Sequence, residues 1–124
     1  MISVDDIREA AGRIRGRVRH TPIIAAVQLK TSLAKDAVVT LKLELLQVTG
    51  SFKARGATNK LMKTPPEVLA NGIVAASGGN HGLATARAGF MSVVPTCIYL
   101  PNNATPEKIA KLHQWGAETK IVGS

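Results

Sequence analysis

Between Ala37 and Val122 the hydrophobic period of the chain switches repeatedly between that of a strand and that of a helix, and this alternation restricts the fold more than any other feature. Residues 37–45 read Ala-Val-Val-Thr-Leu-Lys-Leu-Glu-Leu, β-branched at first and then alternating apolar with polar, which predicts a strand buried chiefly on one face. Gln47-Val48-Thr49-Gly50 interrupts it, and Ser51 stands where it can cap a helix to about Lys63, with Ala54, Ala57, Thr58 and Leu61 on one stripe. Pro65-Pro66-Glu67 opens a further helix that Asn71-Gly72 closes. The run Ile73–Ala76 predicts a strand, followed by Ser77-Gly78-Gly79-Asn80 and a helix from His81 to Ala88 that stops at Gly89. Val94–Leu100 predicts the next strand, Thr105-Pro106-Glu107 caps the last helix, Gly116 ends it, and Lys120-Ile121-Val122 forms a closing strand. Ahead of this series, Ser3 followed by Asp6 predicts a helix start. Val4, Ile7, Ala10, Ala11, Ile14 and Val18 then recur at helical spacing, giving a helix over about Val4 to Arg17. His20-Thr21-Pro22 ends that helix, and Ile23–Leu29 is a short strand or irregular.

Strands joined through helical connections of this length cannot pair as hairpins, and right-handed crossovers place them side by side in a parallel sheet. The expected fold class is therefore α/β, an open parallel sheet with helices on both faces. Ligands of such sheets sit beyond the carboxyl ends of the strands, where Thr49-Gly50-Ser51 and Ser77-Gly78-Gly79-Asn80 fall.

A chain of 124 residues with 45% apolar content is long enough for one ordinary core. Its formal charge of +8, concentrated in the first half, raises the prior for an anionic partner. Phe52, Phe90, Tyr99 and Trp115 are its only aromatics, too few for the stacking platforms of single-strand nucleic-acid binders, so nucleic acid is disfavoured as a partner. No run is long and apolar enough to span a bilayer, which speaks against a membrane partner. A lone cysteine, Cys97, and a start without signal-peptide character make the cytoplasm the default location.

Lys53 follows closely on Gly50-Ser51. A lysine at the sheet edge can serve as a nucleophile if partly desolvated or set beside a second cation such as Arg55, although most lysines in a first helical turn are solvated. Gly78-Gly79 ahead of a helix lets backbone amides face an anion, or simply makes a tight turn. Asn80 offers both a donor and an acceptor there or caps the helix, and His81 is either an acid/base or a capping group. There is no GxGxxG or Walker pattern, and no metal spacing among His20, His81, His113 and Cys97.

Taken together, Leu43-Glu44, Gln47-Val48-Thr49-Gly50, Ser51-Phe52-Lys53-Ala54-Arg55-Gly56-Ala57 and Ser77-Gly78-Gly79-Asn80-His81-Gly82 resemble the fold-type II pyridoxal-phosphate enzymes, with threonine/serine dehydratases as the nearest group. His20-Thr21-Pro22 and Gly116-Ala117 match the same layout, so the similarity covers essentially the whole chain. The resemblance implies pyridoxal 5'-phosphate as cofactor, held covalently by the Lys53 amine, with Phe52 against the pyridine ring and Asn80 on the ring's 3′-oxygen. It also implies that Ser77, Gly78, Gly79, Asn80 and His81 hold the carboxylate of a small amino-acid substrate. The implied activity is a PLP-dependent lyase reaction: β-elimination of water from a hydroxy amino acid to a 2-oxo acid and ammonia. Relatives specialised for cysteine synthesis usually carry threonine where His81 stands, and serine racemases a serine where Gly78 stands, which puts both behind elimination.

Members of this family are considerably longer, and their phosphate-binding glycine loop lies beyond the matching region. The resemblance therefore implies that residues 1–50 correspond to a helix and strand edge of the large cofactor domain and residues 51–124 to the small α/β domain. It further implies weak cofactor binding and little turnover for this chain alone, and self-association or a complementing C-terminal chain. A non-catalytic binding or regulatory module that keeps the fold is the alternative.

Overall fold

The computed structural model describes residues 1–27, 29–31 and 33–123. Helix α1 (Val4–Ile14) begins with the expected reciprocal cap. The Ser3 Oγ accepts from the Asp6 N–H at 3.1 Å and the Asp6 carboxylate accepts from the Ser3 N–H at 2.8 Å. It ends three residues before Arg17 because Gly16, at φ +75°, turns the chain out of helical geometry. Strands β1 (Ile23–Ala25) and β2 (Thr40–Lys42) pair antiparallel, with Ile24 opposite Leu41. Among the described residues no helix separates these two strands, so nothing forces a parallel crossover, and they form a ribbon apart from the main sheet. The ribbon is shorter than the alternation of residues 37–45 suggests, because Glu44–Leu46 turns into a 3₁₀ segment that leaves Leu45 exposed. Gln28, within the ambiguous segment Ile23–Leu29, lies outside the described residues.

A second turn, Val48–Gly50, leads into α2 (Lys53–Lys63) and α3 (Pro66–Leu69). Strands β3 (Ile73–Ala76), β4 (Thr96–Leu100) and β5 (Glu118–Ile121) then form a parallel sheet in the order β3-β4-β5, crossed by α4 (Asn80–Ser92) and α5 (Pro106–Gln114). The open parallel α/β architecture is the one the alternation predicts, except that α4 and α5 do not cover both faces of the sheet as expected. Because the order steps in one direction, both right-handed crossovers place α4 and α5 on the same face. That face holds the core: Ile98 and Leu100 of β4 pack with Ala86 of α4, Leu112 of α5 and Ala117, all nearly inaccessible to solvent. The opposite face carries Val74, Ala76, Cys97 and Tyr99, of which Val74 is 67% exposed.

Helix α4 runs four residues past Ala88, through Gly89, where the sequence places a stop. Gly89 serves close approach: a Cβ there would lie 1.9 Å from the Thr96 Oγ1. The stop comes instead at Val93, held at φ 55°, a conformation β-branched residues rarely adopt. Helix α2 packs along α4, and α1 packs on α2, where the Arg13 Nε donates to the Asn59 Oδ1 at 2.9 Å. The buried Arg87 of α4 donates to the Arg17 carbonyl at 2.7 Å and lies 5.8 Å from the Trp115 ring centroid.

Candidate active site

Lys53 is the first residue of α2, and Ser51 does not cap it: the N-cap is Phe52 and makes no side-chain cap. The turn before it is strained at Thr49, a β-branched residue at φ 64°, next to Gly50 at φ 74°. The hydroxyls of Thr49 and Ser51 are buried there without a hydrogen-bond partner among the described residues. Phe52 is 60% exposed, and the Lys53 ammonium sits 5.4 Å from its ring centroid, so an apolar face and an amine are presented together at the surface.

Arg55, a candidate for the second cation beside Lys53, is instead neutralised. Its Nε donates to the Glu44 Oε2 at 2.9 Å and its Nη2 to the Oε1 at 2.7 Å, while the Thr21 hydroxyl also donates to Glu44. The Arg55 hydrogen bonds pull the Glu44 carboxyl from 4.5 down to about 2, against the opposing effect of burial. Gln47, fully buried, completes this support: its Oε1 accepts from the Arg19 N–H and its Nε2 donates to the Arg19 carbonyl, both at 2.8 Å. Sequence reading noted Glu44 and Arg55 separately but missed their pairing. The available signal was an acid set between leucines, eleven residues before an arginine on the next helix.

The second loop follows β3 at the carboxyl end of the sheet, as expected. A Cβ on Gly82 would stand 1.9 Å from the Ser77 carbonyl oxygen, so this glycine lets α4 start directly beneath the loop. A Cβ on Gly79 would meet nothing closer than the Ser77 Oγ at 4.0 Å, which leaves the backbone open to a ligand. Gly78, Gly79 and Asn80 line a groove of about 170 Å³ with Leu83, Lys108, Lys111 and Leu112. His81 lines a different cavity of about 350 Å³, between α2, α3, α4 and β3, together with Gly56 and Ala57. Lys53 and Phe52 line neither. The structure thus joins the candidates in two open half-sites, amine with aromatic and glycine loop with amide, and it points His81 away from the second.

An amine on an exposed aromatic face, unpartnered hydroxyls in the turn before it, an exposed carboxamide, and a glycine loop open to close approach, whose Gly79 N–H donates to the Ser77 Oγ at 3.3 Å, fit an aldehyde-bearing ring with anionic substituents. Among the described residues no group of three or more His, Cys, Asp or Glu side chains is placed to hold a metal ion.

Comparison with known proteins gives the family. Residues 14–124 match the family described as pyridoxal-phosphate dependent enzyme. The chain is 37% identical over 117 residues to the L-threonine ammonia-lyase of Geobacter sulfurreducens, covering 94% of this chain and 29% of that protein. It is 37% identical over 123 residues to a catabolic L-threonine dehydratase of Staphylococcus aureus strain USA300, covering 99% and 35%. Among solved structures, maize serine racemase superposes with a TM-score of 0.88 at 31% identity, covering 98% of this chain and 36% of that one. A threonine deaminase from T.th. gives 0.83 at 34%, covering 99% and 38%. The chain spans about a third of the length of the curated relatives it matches. It belongs to the pyridoxal-phosphate-dependent enzyme family of fold type II, whose cofactor is pyridoxal 5'-phosphate.

Proposed function

We propose that this chain is the N-terminal portion of a threonine/serine dehydratase, which eliminates water from a hydroxy amino acid and yields a 2-oxo acid and ammonia. The observation that carries this reading is the pairing of Lys53 on Phe52 at the head of α2 with the open Gly78-Gly79 loop after β3, in a chain 37% identical to an L-threonine ammonia-lyase. In this reading Lys53 holds the cofactor, Phe52 lies against its ring and Asn80 bonds the ring oxygen. The backbone N–H groups of Ser77–His81 grip the substrate carboxylate. When bound, the cofactor supplies an electron sink. The Lys53 amine would receive the α-proton, and the β-hydroxyl would leave as water on taking up that proton. The released enamine hydrolyses to the 2-oxo acid and ammonia.

Residues 1–50 belong, in this proposal, to the larger cofactor-bearing unit and residues 51–124 to the smaller one. The separation of the β1–β2 ribbon from the β3-β4-β5 sheet supports that division. The exposed half-sites support weak cofactor affinity and little turnover for the 124 residues alone, with a complementing chain supplying the remaining wall. A cytoplasmic location follows from the same reading, and among the described residues no helix is long and apolar enough to cross a membrane. Racemisation of serine is the second reading, favoured by the superposition on maize serine racemase. Gly78 weighs against it, because glycine offers no hydroxyl to protonate the opposite face of the substrate.

The test mixes the chain, pyridoxal phosphate and the unmatched portion of a related dehydratase with L-threonine or L-serine. The proposal expects 2-oxo acid release that Lys53→Ala abolishes. Faster formation of D-serine than of 2-oxo acid would favour racemisation, and no reaction with either amino acid would contradict both.

A further inference from the structure

The segment that carries Lys53 is tied at both ends to one backbone carbonyl, that of Arg19. At its start the Gln47 side chain, 2% exposed, pairs with both polar backbone groups of Arg19. Its Oε1 accepts from the Arg19 N–H and its Nε2 donates to the Arg19 carbonyl, each at 2.8 Å. Beyond Lys53, the Arg55 Nη2 donates to the same carbonyl at 3.3 Å. The Arg19 guanidinium returns the contact, its Nη1 donating to the Leu46 carbonyl at 2.9 Å.

Between these ties the backbone is strained. The Gly50 N–H closes a turn on the Gln47 carbonyl at 2.8 Å, with Thr49 at its left-handed third position, where glycine or asparagine ordinarily stands. A β-branched residue keeps that conformation only while its surroundings hold it. The hydroxyls of the turn do not: those of Thr49 and Ser51 are buried without a partner among the described residues. The Gln47 Oε1 does, because it also accepts from the Val48 N–H at 2.9 Å, the first amide inside the turn. Among the described residues Lys53 has no hydrogen-bond or ion-pair partner, only the Phe52 ring, so the backbone beneath it sets its direction.

We infer that Gln47 is a positioning residue for Lys53: its carboxamide holds the strained turn closed, and the turn aims the amine and the Phe52 ring at one ligand. This rests on the reading that Lys53 takes up the cofactor, and it adds the residue that sets the amine in place. Without the Gln47 carboxamide, Thr49 is free to leave the left-handed region, and Phe52 and Lys53 swing with it. A displacement of about 1 Å is enough to cost a reacting group up to about 100-fold in rate.

The experiment uses the 124-residue chain. With no cofactor present, the Arg19 and Val48 amides, which the Gln47 side chain accepts, should exchange about 100-fold more slowly than open amides. Labelling then reads placement. The amine adds to the aldehyde carbon of pyridoxal phosphate, the oxygen leaves as water, and borohydride delivers hydride to the C=N bond, so each modified lysine is fixed as a secondary amine. Gln47→Met should lower the preference for Lys53 over the other lysines about tenfold, while acetylation of Lys53 by acetic anhydride changes less than about twofold, because the amine stays free but is misplaced. Gln47→Glu, which keeps the acceptor and loses only the donor, should lower the preference about threefold and is read in its place if Gln47→Met does not fold. Thr49→Gly in either Gln47 variant should restore most of the preference, since glycine adopts left-handed geometry without the clamp. Ile98→Val, which weakens the sheet core, should leave the preference within about twofold.

Unprotected Arg19 and Val48 amides, no preference for Lys53 in the parent, a preference that survives the Gln47 variants, an equal fall in acetylation or in Ile98→Val, or no rescue by Thr49→Gly would each overturn the inference. A preference that depends on Gln47, in a complemented chain that turns over neither L-threonine nor L-serine, would leave it standing and sink the dehydratase reading. Turnover that needs Lys53 but ignores the Gln47 variants would do the reverse.

Discussion

Replacing Glu44 by Gln should remove a stabilisation that depends on pH in a defined window. The carboxylate accepts two bonds from Arg55, at 2.9 and 2.7 Å, and one from Thr21, and its carboxyl is held at about 2 against an ordinary 4.5. At ~1.36 kcal/mol per unit, a depression of this size corresponds to ~3 kcal/mol favouring the folded state. The Arg55 side chain remains 32% exposed, so solvent screening reduces the expected value to ~2 kcal/mol. A depressed carboxyl contributes its full stability above the unfolded value, and that contribution is lost as pH falls from there toward the folded value. Urea unfolding of the parent and Glu44→Gln from pH 7 to pH 2 should therefore show a gap of ~2 kcal/mol at pH 7 that begins to narrow below about pH 4.5 and closes near pH 2. A gap that is absent at pH 7, or that stays constant down to pH 2, would refute the assignment of the pair as the main support beneath α2.

The left-handed Val93 is 92% exposed, so Val93→Gly should relieve strain without losing packing and raise stability by ~1 kcal/mol, measured as a higher melting temperature. Gly82→Ala should destabilise by ~2 kcal/mol or more in urea, because the new methyl would stand 1.9 Å from the Ser77 carbonyl oxygen. Gly79→Ala meets no such obstacle and should leave the urea midpoint unchanged while weakening pyridoxal-phosphate uptake by the complemented chain, read from cofactor absorbance.

What the sequence revealed and what it concealed divide along physical lines. The β3–α4–β4–α5–β5 series was legible because each element has its own hydrophobic period and because β4 alternates buried Thr96, Ile98 and Leu100 with half-buried Cys97 and Tyr99. The β2 region misled because its alternation is real but only Thr40–Lys42 has a strand to pair with. Gly89 reads as a stop, yet its lack of a side chain serves the contact with Thr96 across the helix–strand interface, a tertiary relation that no local pattern carries. Lys53 and Asn80 stood out through motif resemblance, whereas the Glu44–Arg55 pair depends on how a 3₁₀ turn sets one residue against the helix that follows. The facing of His81 toward the cavity behind α2, away from the groove of Gly78–Asn80, likewise follows from where α4 begins.

The measurement that bears most directly on the account is chemical mapping of the cofactor. The chain is mixed with pyridoxal phosphate, reduced with borohydride, and digested for peptide mass analysis. The account predicts that Lys53, alone among the lysines in lying over Phe52 and in following a turn with two buried unpartnered hydroxyls, carries the label preferentially. Labelling spread evenly over the exposed lysines, or concentrated on Lys108 and Lys111 beside the glycine loop, would contradict it.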